Sequence, residues 1–341
     1  MSTARSREIG AKQSIPKHLR FTFEDFNRRF PDDDACLEQI KEQRWPDGMA
    51  DCEKCQEKTR HHRIAGRTAY SCQNCGTQIY PLAGTIFEKS TTSLRAWLYA
   101  MYLMSSTRCG ISAKQIQRET GVTYKTAWRM FRQIRTLMSE DLQLEGPTVE
   151  IDETYYGGVR KYGTGRPMRG DKKKTPIVGV VERKGRVVAK TVETVGSATL
   201  LGIVREHVLP ESTIYSDEHR GYDGIKGLRR TDDTTLNAGY QHRRIHHSSK
   251  VYVVGDIHTN SVEGFWSLIK RGIGGVYHAV SQKYLQSYLG EYSYRYNRRD
   301  QGNLIFNAVL GEVSKRAGVV EKKPPASEGH QTDLPLSDVP F

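Results

Sequence analysis

Three features of the chain predict an α/β core preceded by a metal-stapled ribbon and an all-α module. The first is the stretch T-V-E-I-D-E-T-Y-Y-G-G, Thr148 to Gly158, where apolar and acidic residues alternate at strand period and stop at a Gly pair. The second is a pair of C-x-x-C knuckles, Cys52/Cys55 and Cys72/Cys75, separated by sixteen residues. The third is the helical spacing of apolar residues from Thr91 to about Leu142.

Composition limits what such a chain can do. Its 341 residues are enough for two or three domains. Lys and Arg total 52 against 39 Asp and Glu, a formal charge of +13, which favours a polyanionic partner, nucleic acid first. There is no run of eighteen apolar residues and no apolar h-region in the opening M-S-T-A-R-S-R, so neither a membrane partner nor a secretory route is expected. Cytoplasmic placement follows, associated with the nucleoid, although a nuclear protein fits the composition equally well.

Residues 1–48 read as a polar, basic lead disordered to about Leu19, then one or two short helices carrying Phe23, Phe26, Phe30, Leu37 and Ile40, interrupted near Pro31. Cys36 reads as a small buried side chain. Residues 49–90 read as a zinc ribbon. Four thiolates at this spacing converge on one structural Zn²⁺, and a small β-ribbon with little core needs that staple to fold. His61 and His62 read as solvated or phosphate-facing.

Residues 91–144 read as three helices. Leu94, Trp97, Leu98 and Met101 share a face of the first, Ile116 points inward from the second, and Ala127, Met130, Phe131, Ile134 and Leu137 line the third. A short helix, a Gly-containing turn and a helix bearing Lys125, Arg129, Arg132 and Arg135 form the layout of a helix-turn-helix DNA reader. A plain helical bundle with a solvated charged face is the competing reading. Cys109 reads as structural.

Residues 145–317 read as the α/β core. After the strand at 148 comes an open basic loop, Val159 to Lys174, whose Arg160, Lys161, Arg166, Arg169, Lys172, Lys173 and Lys174 cannot pack inside and should lie on DNA phosphates. Two strands follow, 176–182 and 186–192, joined as a hairpin through Arg183-Lys184-Gly185. A helix from Ala198 to Val208 leads to the strand Thr213–Ser216, which ends at Asp217. Three antiparallel strands, a helix and a further strand match the ribonuclease H-like arrangement. Residues 221–255 read as irregular. Helices are expected from Asn260 to about Arg271, from Lys283 to Arg298 and from Asn303 to Ala317, and 318–341 reads as a disordered tail.

Acidic residues at strand ends in a basic chain suggest metal-dependent phosphodiester transfer. Mg²⁺, or Mn²⁺ in its place, keeps several waters and needs only a few protein oxygens. Asp152 and Asp217 end core strands and are the first choices. Glu150 lies on the same strand face as Asp152 and would assist at a distance, while Glu153 faces away and reads as structural. Asn260 and Glu263 share a helix face, either one able to supply the third oxygen, and Lys270 lies two turns beyond Glu263 to meet a phosphate. A surface salt-bridge row on that helix would look the same.

D-E-T-Y-Y-G-G, K-K-T-P-I-V-G, S-D-E-H-R-G-Y, H-T-N-S-V-E-G-F-W-S-L-I-K-R and G-V-Y-H-A-V-S, behind a four-cysteine ribbon, resemble the zinc-ribbon insertion-sequence transposases related to Merlin elements. The resemblance runs in order from Phe21 to Ala317. It implies a DDE-type DNA transposase whose third position is often Asn, falling here on Asp152, Asp217 and Asn260, with Lys270 as the associated basic residue. Some relatives use Glu, which keeps Glu263 in view. The resemblance also covers Glu291, Arg295 and Arg298 at i, i+4, i+7, a row expected either to contact DNA or to buttress the active site. It implies binding of terminal inverted repeats, cleavage at the element ends, joining of the 3′-hydroxyl to target double-stranded DNA, and at least a homodimer on DNA. A DNA-binding regulator derived from a transposase and a ribonuclease H-like nuclease are the alternatives.

Overall fold

Strand β5 (Thr148–Tyr156) is the centre of a five-stranded mixed sheet, with an antiparallel neighbour on one side and a parallel one on the other. On one side β6 (Thr175–Glu182) and β7 (Val187–Thr191) follow antiparallel, turning through Lys184 in the left-handed region at φ 59°. On the other, helix α6 (Ser197–His207) carries the chain across the sheet so that β8 (Thr213–Ser216) returns parallel to β5. The last strand, β9 (Gln241–Arg244), lies parallel to β8, giving the order β7-β6-β5-β8-β9. The computed structural model describes residues 16, 19–107, 109–157, 174–228, 239–245 and 260–317.

Both faces of the sheet are covered, which the near-continuous apolar run of β6 requires. On one face Val149, Ile151, Val178, Val180 and Ile214 pack on Leu200, Ile203 and Val204 of α6 and on Tyr222 and Ile225 of a 3-10 segment, Arg220–Gly227. On the other, Ile177, Val181 and Val187 meet helix α7 (Asn260–Gly272) through Val262, Phe265, Trp266 and Ile269, and α8 (Gln282–Asn297) through Leu285, Leu289 and Tyr292. Helix α8 also closes the β7 edge. Asn297 Oδ1 accepts the Val187 N–H at 2.7 Å, and Gln286 Oε1 accepts the Thr191 N–H at 2.7 Å.

The ribbon is a four-stranded antiparallel sheet, β1 (Met49–Cys52), β2 (Glu57–Arg63), β3 (Tyr70–Cys72) and β4 (Gln78–Ile79), in sequence order. The four Sγ atoms lie within 4.8 Å of one another, with Cys52–Cys75 at 3.4 Å and Cys55–Cys72 at 3.8 Å. A tetrahedral Zn²⁺ with bonds of about 2.3 Å needs sulfurs about 3.8 Å apart, so this donor set fits the ion. His61 is not solvated. It is buried, with its Nδ1 3.0 Å from the Thr59 carbonyl oxygen, and stands outside the cysteine cluster.

Helices α1 (Phe23–Arg29) and α2 (Asp33–Arg44) break at Pro31 as expected and bury Phe26, Phe30, Cys36, Leu37 and Ile40. They share one core with α3 (Leu94–Ser106), α4 (Ala113–Thr120) and α5 (Tyr124–Leu137). Ser93, Ser112 and Thr123 cap the three N-termini, and Gly121 ends α4 at φ 72°, the left-handed conformation a helix C-terminus favours in glycine. The final helix, α9 (Ile305–Lys315), joins this core through Phe306, Val309, Leu310 and Val313 instead of the sheet. A division at residue 145 therefore does not separate two cores. Cys109 is exposed, contrary to its reading as a structural residue.

Candidate active site

Alternation along β5 sends Glu150 and Asp152 toward α7 and Glu153 toward the other face. The parallel ladder to β8 pairs Thr148 with Thr213, Val149 with Ile214 and Glu150 with Tyr215. The same offset carried two residues further brings Asp217 level with Asp152. Asp217 lies one residue past the end of β8, as expected, whereas Asp152 sits in the middle of β5 instead of ending it, because pairing with β6 carries that strand on to Tyr156.

Burial pushes the Asp152 carboxyl up to about 6, and Glu153 and Asp217 add to the rise while a hydrogen bond from Trp266 opposes it. That bond, Trp266 Nε1 to Asp152 Oδ2 at 2.9 Å, fixes the carboxylate. Gly179 lies opposite Asp152 on β6 and makes room for the indole, since a Cβ there would stand 2.5 Å from the ring. Across the strand the Tyr222 hydroxyl donates to Glu153 Oε2 at 2.5 Å. Glu153 was expected to be purely structural, yet it lines the same cleft as Asp152 and acts on its charge. Asp217 Oδ1 accepts the His219 N–H at 2.9 Å, which orients it at the mouth of the turn.

A cleft of about 400 Å³ is lined by Asp152, Glu153, Thr154, Glu263, Trp266, Ser267, Lys270 and Arg271. Helix α7 thus turns Glu263 and Lys270 toward Asp152, as their spacing requires. Asn260 opens α7, and its side chain lies outside the described residues. No lysine or arginine among the described residues forms an ion pair with Asp152, Glu153 or Asp217. A largely buried Asp152 with two further carboxylates beside it is a donor set that suits a divalent cation. No three of these carboxylates converge within 4.8 Å, as the cysteines do, among the described residues.

Lys125, Arg129 and Arg132 are exposed on one face of α5, at i, i+4, i+7, and the Arg132 guanidinium lies 5.1 Å from the Tyr284 ring centre. Lys174 is exposed, and Arg160, Lys161, Arg166, Arg169, Lys172 and Lys173 lie outside the described residues. Arg135 departs from the expected basic face. It is buried, its Nε donating to Glu291 Oε2 at 2.6 Å and its guanidinium lying 3.6 Å from the Phe131 ring centre and 3.3 Å from that of Tyr288. Arg295 and Arg298 are likewise engaged by partners within the fold. Arg295 is buried on Glu291 and donates to the Thr107 carbonyl at 3.1 Å, while Arg298 pairs with Glu140 at 2.5 Å and covers the Tyr294 ring. The Glu291 row buttresses the junction of α5 with α8.

Strand β9, and the burial of Glu150, which is expected to assist Asp152 at a distance, are not legible in the sequence. Strand β9 is Gln-His-Arg-Arg, a polar edge without apolar alternation, so nothing in the segment marked it as a strand. Glu150 is fully buried and bonded to the first turn of α7, a signal available only as an acid flanked by Val149 and Ile151.

A transposase zinc-ribbon domain model matches residues 31–78, and an ISXO2-like transposase domain model matches residues 143–297. An uncharacterized protein in transposable element ISH50 of Halobacterium salinarum is 28% identical over 270 residues, covering 74% of this chain and 86% of that protein. An uncharacterized transposase-like protein of Haemophilus influenzae is 30% identical over 133 residues, 38% of this chain and 98% of that protein. Among solved structures, the Mos1 strand transfer complex is 14% identical and covers 61% of this chain and 74% of that chain at a TM-score of 0.25. A pre-cleavage Mos1 transpososome is 14% identical and covers 61% and 73% at 0.26.

Proposed function

Because the chain belongs to the zinc-ribbon insertion-sequence transposases, we propose that it cuts DNA at the ends of its own element and joins the freed 3′-hydroxyl to target DNA. The observation that carries this reading is the cleft in which Asp152 and Glu153 of β5 meet Glu263 and Lys270 of α7, with Asp217, just past the end of the adjacent parallel strand, near enough to raise the Asp152 carboxyl. The strand order, with three antiparallel strands followed by a helix and two parallel strands, supports a ribonuclease H-like core.

Asp152, Asp217 and either Asn260 or Glu263 would hold Mg²⁺, which supplies activation of the attacking oxygen and stabilisation of the leaving one. Trp266 keeps the Asp152 carboxylate oriented, and Lys270 and Arg271 hold the phosphate that flanks the scissile bond. In the first step water attacks the phosphodiester at the element end, leaving a 3′-hydroxyl and a 5′-phosphate. In the second that hydroxyl attacks a target phosphodiester, forming a new P–O bond as the bond to the target strand's own 3′-oxygen breaks and that oxygen leaves as a 3′-hydroxyl. Lys125, Arg129 and Arg132 on α5, with Lys174 and the basic segment before it, bind the inverted repeats and their phosphates. The ribbon contributes to the same binding, and two ends joined in one complex require at least two copies.

The test is Mg²⁺-dependent cleavage of a fragment carrying the terminal repeat, with wild type beside Asp152→Ala, Asn260→Ala and Glu263→Ala. Cutting at the repeat boundary that is lost in Asp152→Ala supports the proposal, and the other two variants assign the third oxygen. Specific binding with no cutting by wild type points to a regulator instead.

A further inference from the structure

Two side-chain contacts fasten α7 to the central strand. Glu150, two residues before Asp152 on the same strand face, has no exposed surface. Its Oε2 accepts the Ser261 N–H at 2.9 Å and the Val262 N–H at 3.1 Å. Its Oε1 accepts the Arg183 Nε at 2.9 Å and the Ser261 hydroxyl at 3.2 Å. These amides belong to the first helical turn, whose N–H groups have no partner within the helix, and a carboxylate there also meets the positive end of the helix dipole. Arg183 balances the buried charge, its guanidinium 4.3 Å from the ring centre of Tyr215, which pairs with Glu150 on β8. The second contact is the bond from Trp266 to Asp152.

The spacing of the two contacts is matched. Along the strand the acceptors are two residues apart, about 6.7 Å. Along the helix the donors Val262 and Trp266 are four residues apart, about 6 Å. Both bonds therefore close in one register, and a slip by a single helical turn, about 5.4 Å, breaks both.

From this geometry we infer that Glu150 is a positioning residue of the catalytic site, a clamp on the first turn of α7 that sets Asn260, Glu263 and Lys270 against Asp152. It acts through the helix and is itself no ligand of metal or DNA. The inference rests on the reading of the cleft as a metal-dependent phosphodiester-transfer site.

The experiment uses the full chain, with Glu150→Gln and the double variant Glu150→Gln/Arg183→Met. Glutamine keeps the shape but its amide nitrogen cannot accept, so part of the four-donor set loses its acceptor. The double variant removes the buried charges together and keeps the test alive where the single one does not fold. Three readouts are taken: amide hydrogen exchange over residues 260–272, Mn²⁺ binding counted as free ion by electron paramagnetic resonance with Asp152→Asn as the blank, and end cleavage against Mg²⁺ concentration. The expected result is exchange at the first turn of α7 at least tenfold faster, Mn²⁺ affinity at least fivefold weaker, and cleavage at limiting Mg²⁺ at least tenfold slower with partial recovery at high Mg²⁺. First-turn exchange like that of wild type overturns the inference. So does a loss of activity that follows only the amount of folded protein, with the Mn²⁺ affinity and Mg²⁺ requirement unchanged. Wild type that binds Mn²⁺ in an Asp152-dependent manner yet cuts no DNA defeats the transposase reading alone, because exchange and Mn²⁺ affinity still decide the role of Glu150.

Discussion

Replacing Asp152 by Asn should stabilise the metal-free protein. The folded state holds this carboxyl at about 6 against an ordinary value of 3.8, chiefly by burial, with Glu153 and Asp217 adding repulsion. Its ionised form is therefore disfavoured in the fold. Below the ordinary value both states are protonated and nothing is lost; above about 6 the full penalty applies, so on this account stability falls as pH rises between those limits. Roughly two pH units at 1.36 kcal/mol each come to about 3 kcal/mol at pH 7.5, and roughly half that at pH 5. This figure is a ceiling, since Asn keeps the Trp266 bond but accepts it more weakly than a carboxylate does. Urea unfolding of wild type and Asp152→Asn at both pH values without divalent ion measures the difference, and repeating it with Mg²⁺ should stabilise wild type alone. An Asp152→Asn protein less stable than wild type at pH 7.5, or a difference that does not shrink at pH 5, would refute the reasoning.

Other perturbations test the parts around that carboxylate. Gly179→Ala should cost about 1–3 kcal/mol and pull Trp266 off Asp152, because the new Cβ stands 2.5 Å from the indole; denaturant unfolding reports the cost and near-ultraviolet dichroism the displaced ring. Arg135→Met leaves Glu291 buried with Arg295 as its remaining cation, and a loss of about 3–5 kcal/mol in urea unfolding is expected, with a loss below about 1 counting against the buried-charge account. Cys72→Ser should release the structural zinc and unfold β1–β4 while the five-stranded sheet persists, checked by bound zinc per chain and by amide exchange in the two regions.

The sequence made much of this legible because period and spacing carry it. Alternation in β5 and the strand ending at Ser216 located Asp152 and Asp217, and the cysteine spacing located the metal cluster. Partnership is harder to read than period. Arg135 follows Phe131 by four residues and Ala127 by eight, which puts it on the buried stripe of α5, while Lys125, Arg129 and Arg132 occupy another face; the helical wheel held that distinction, but charge type suggested one surface. The placement of α9 had no local signal at all. Its apolar face fits either core, and only the tertiary arrangement decides that it covers α2 and α3.

That last helix gives the two ends of the described chain a shared duty. The helical half cannot be lifted out as the residues before the sheet, because one wall of its interior is supplied by residues 305–315. An exchange of the helical half between related chains must therefore carry matched segments from both sides of the five-stranded sheet, or accept a half-built interior. A single crossover between the helices and the sheet would assemble mismatched walls, so helices α1–α5 and the C-terminal helix are expected to change together as related chains diverge.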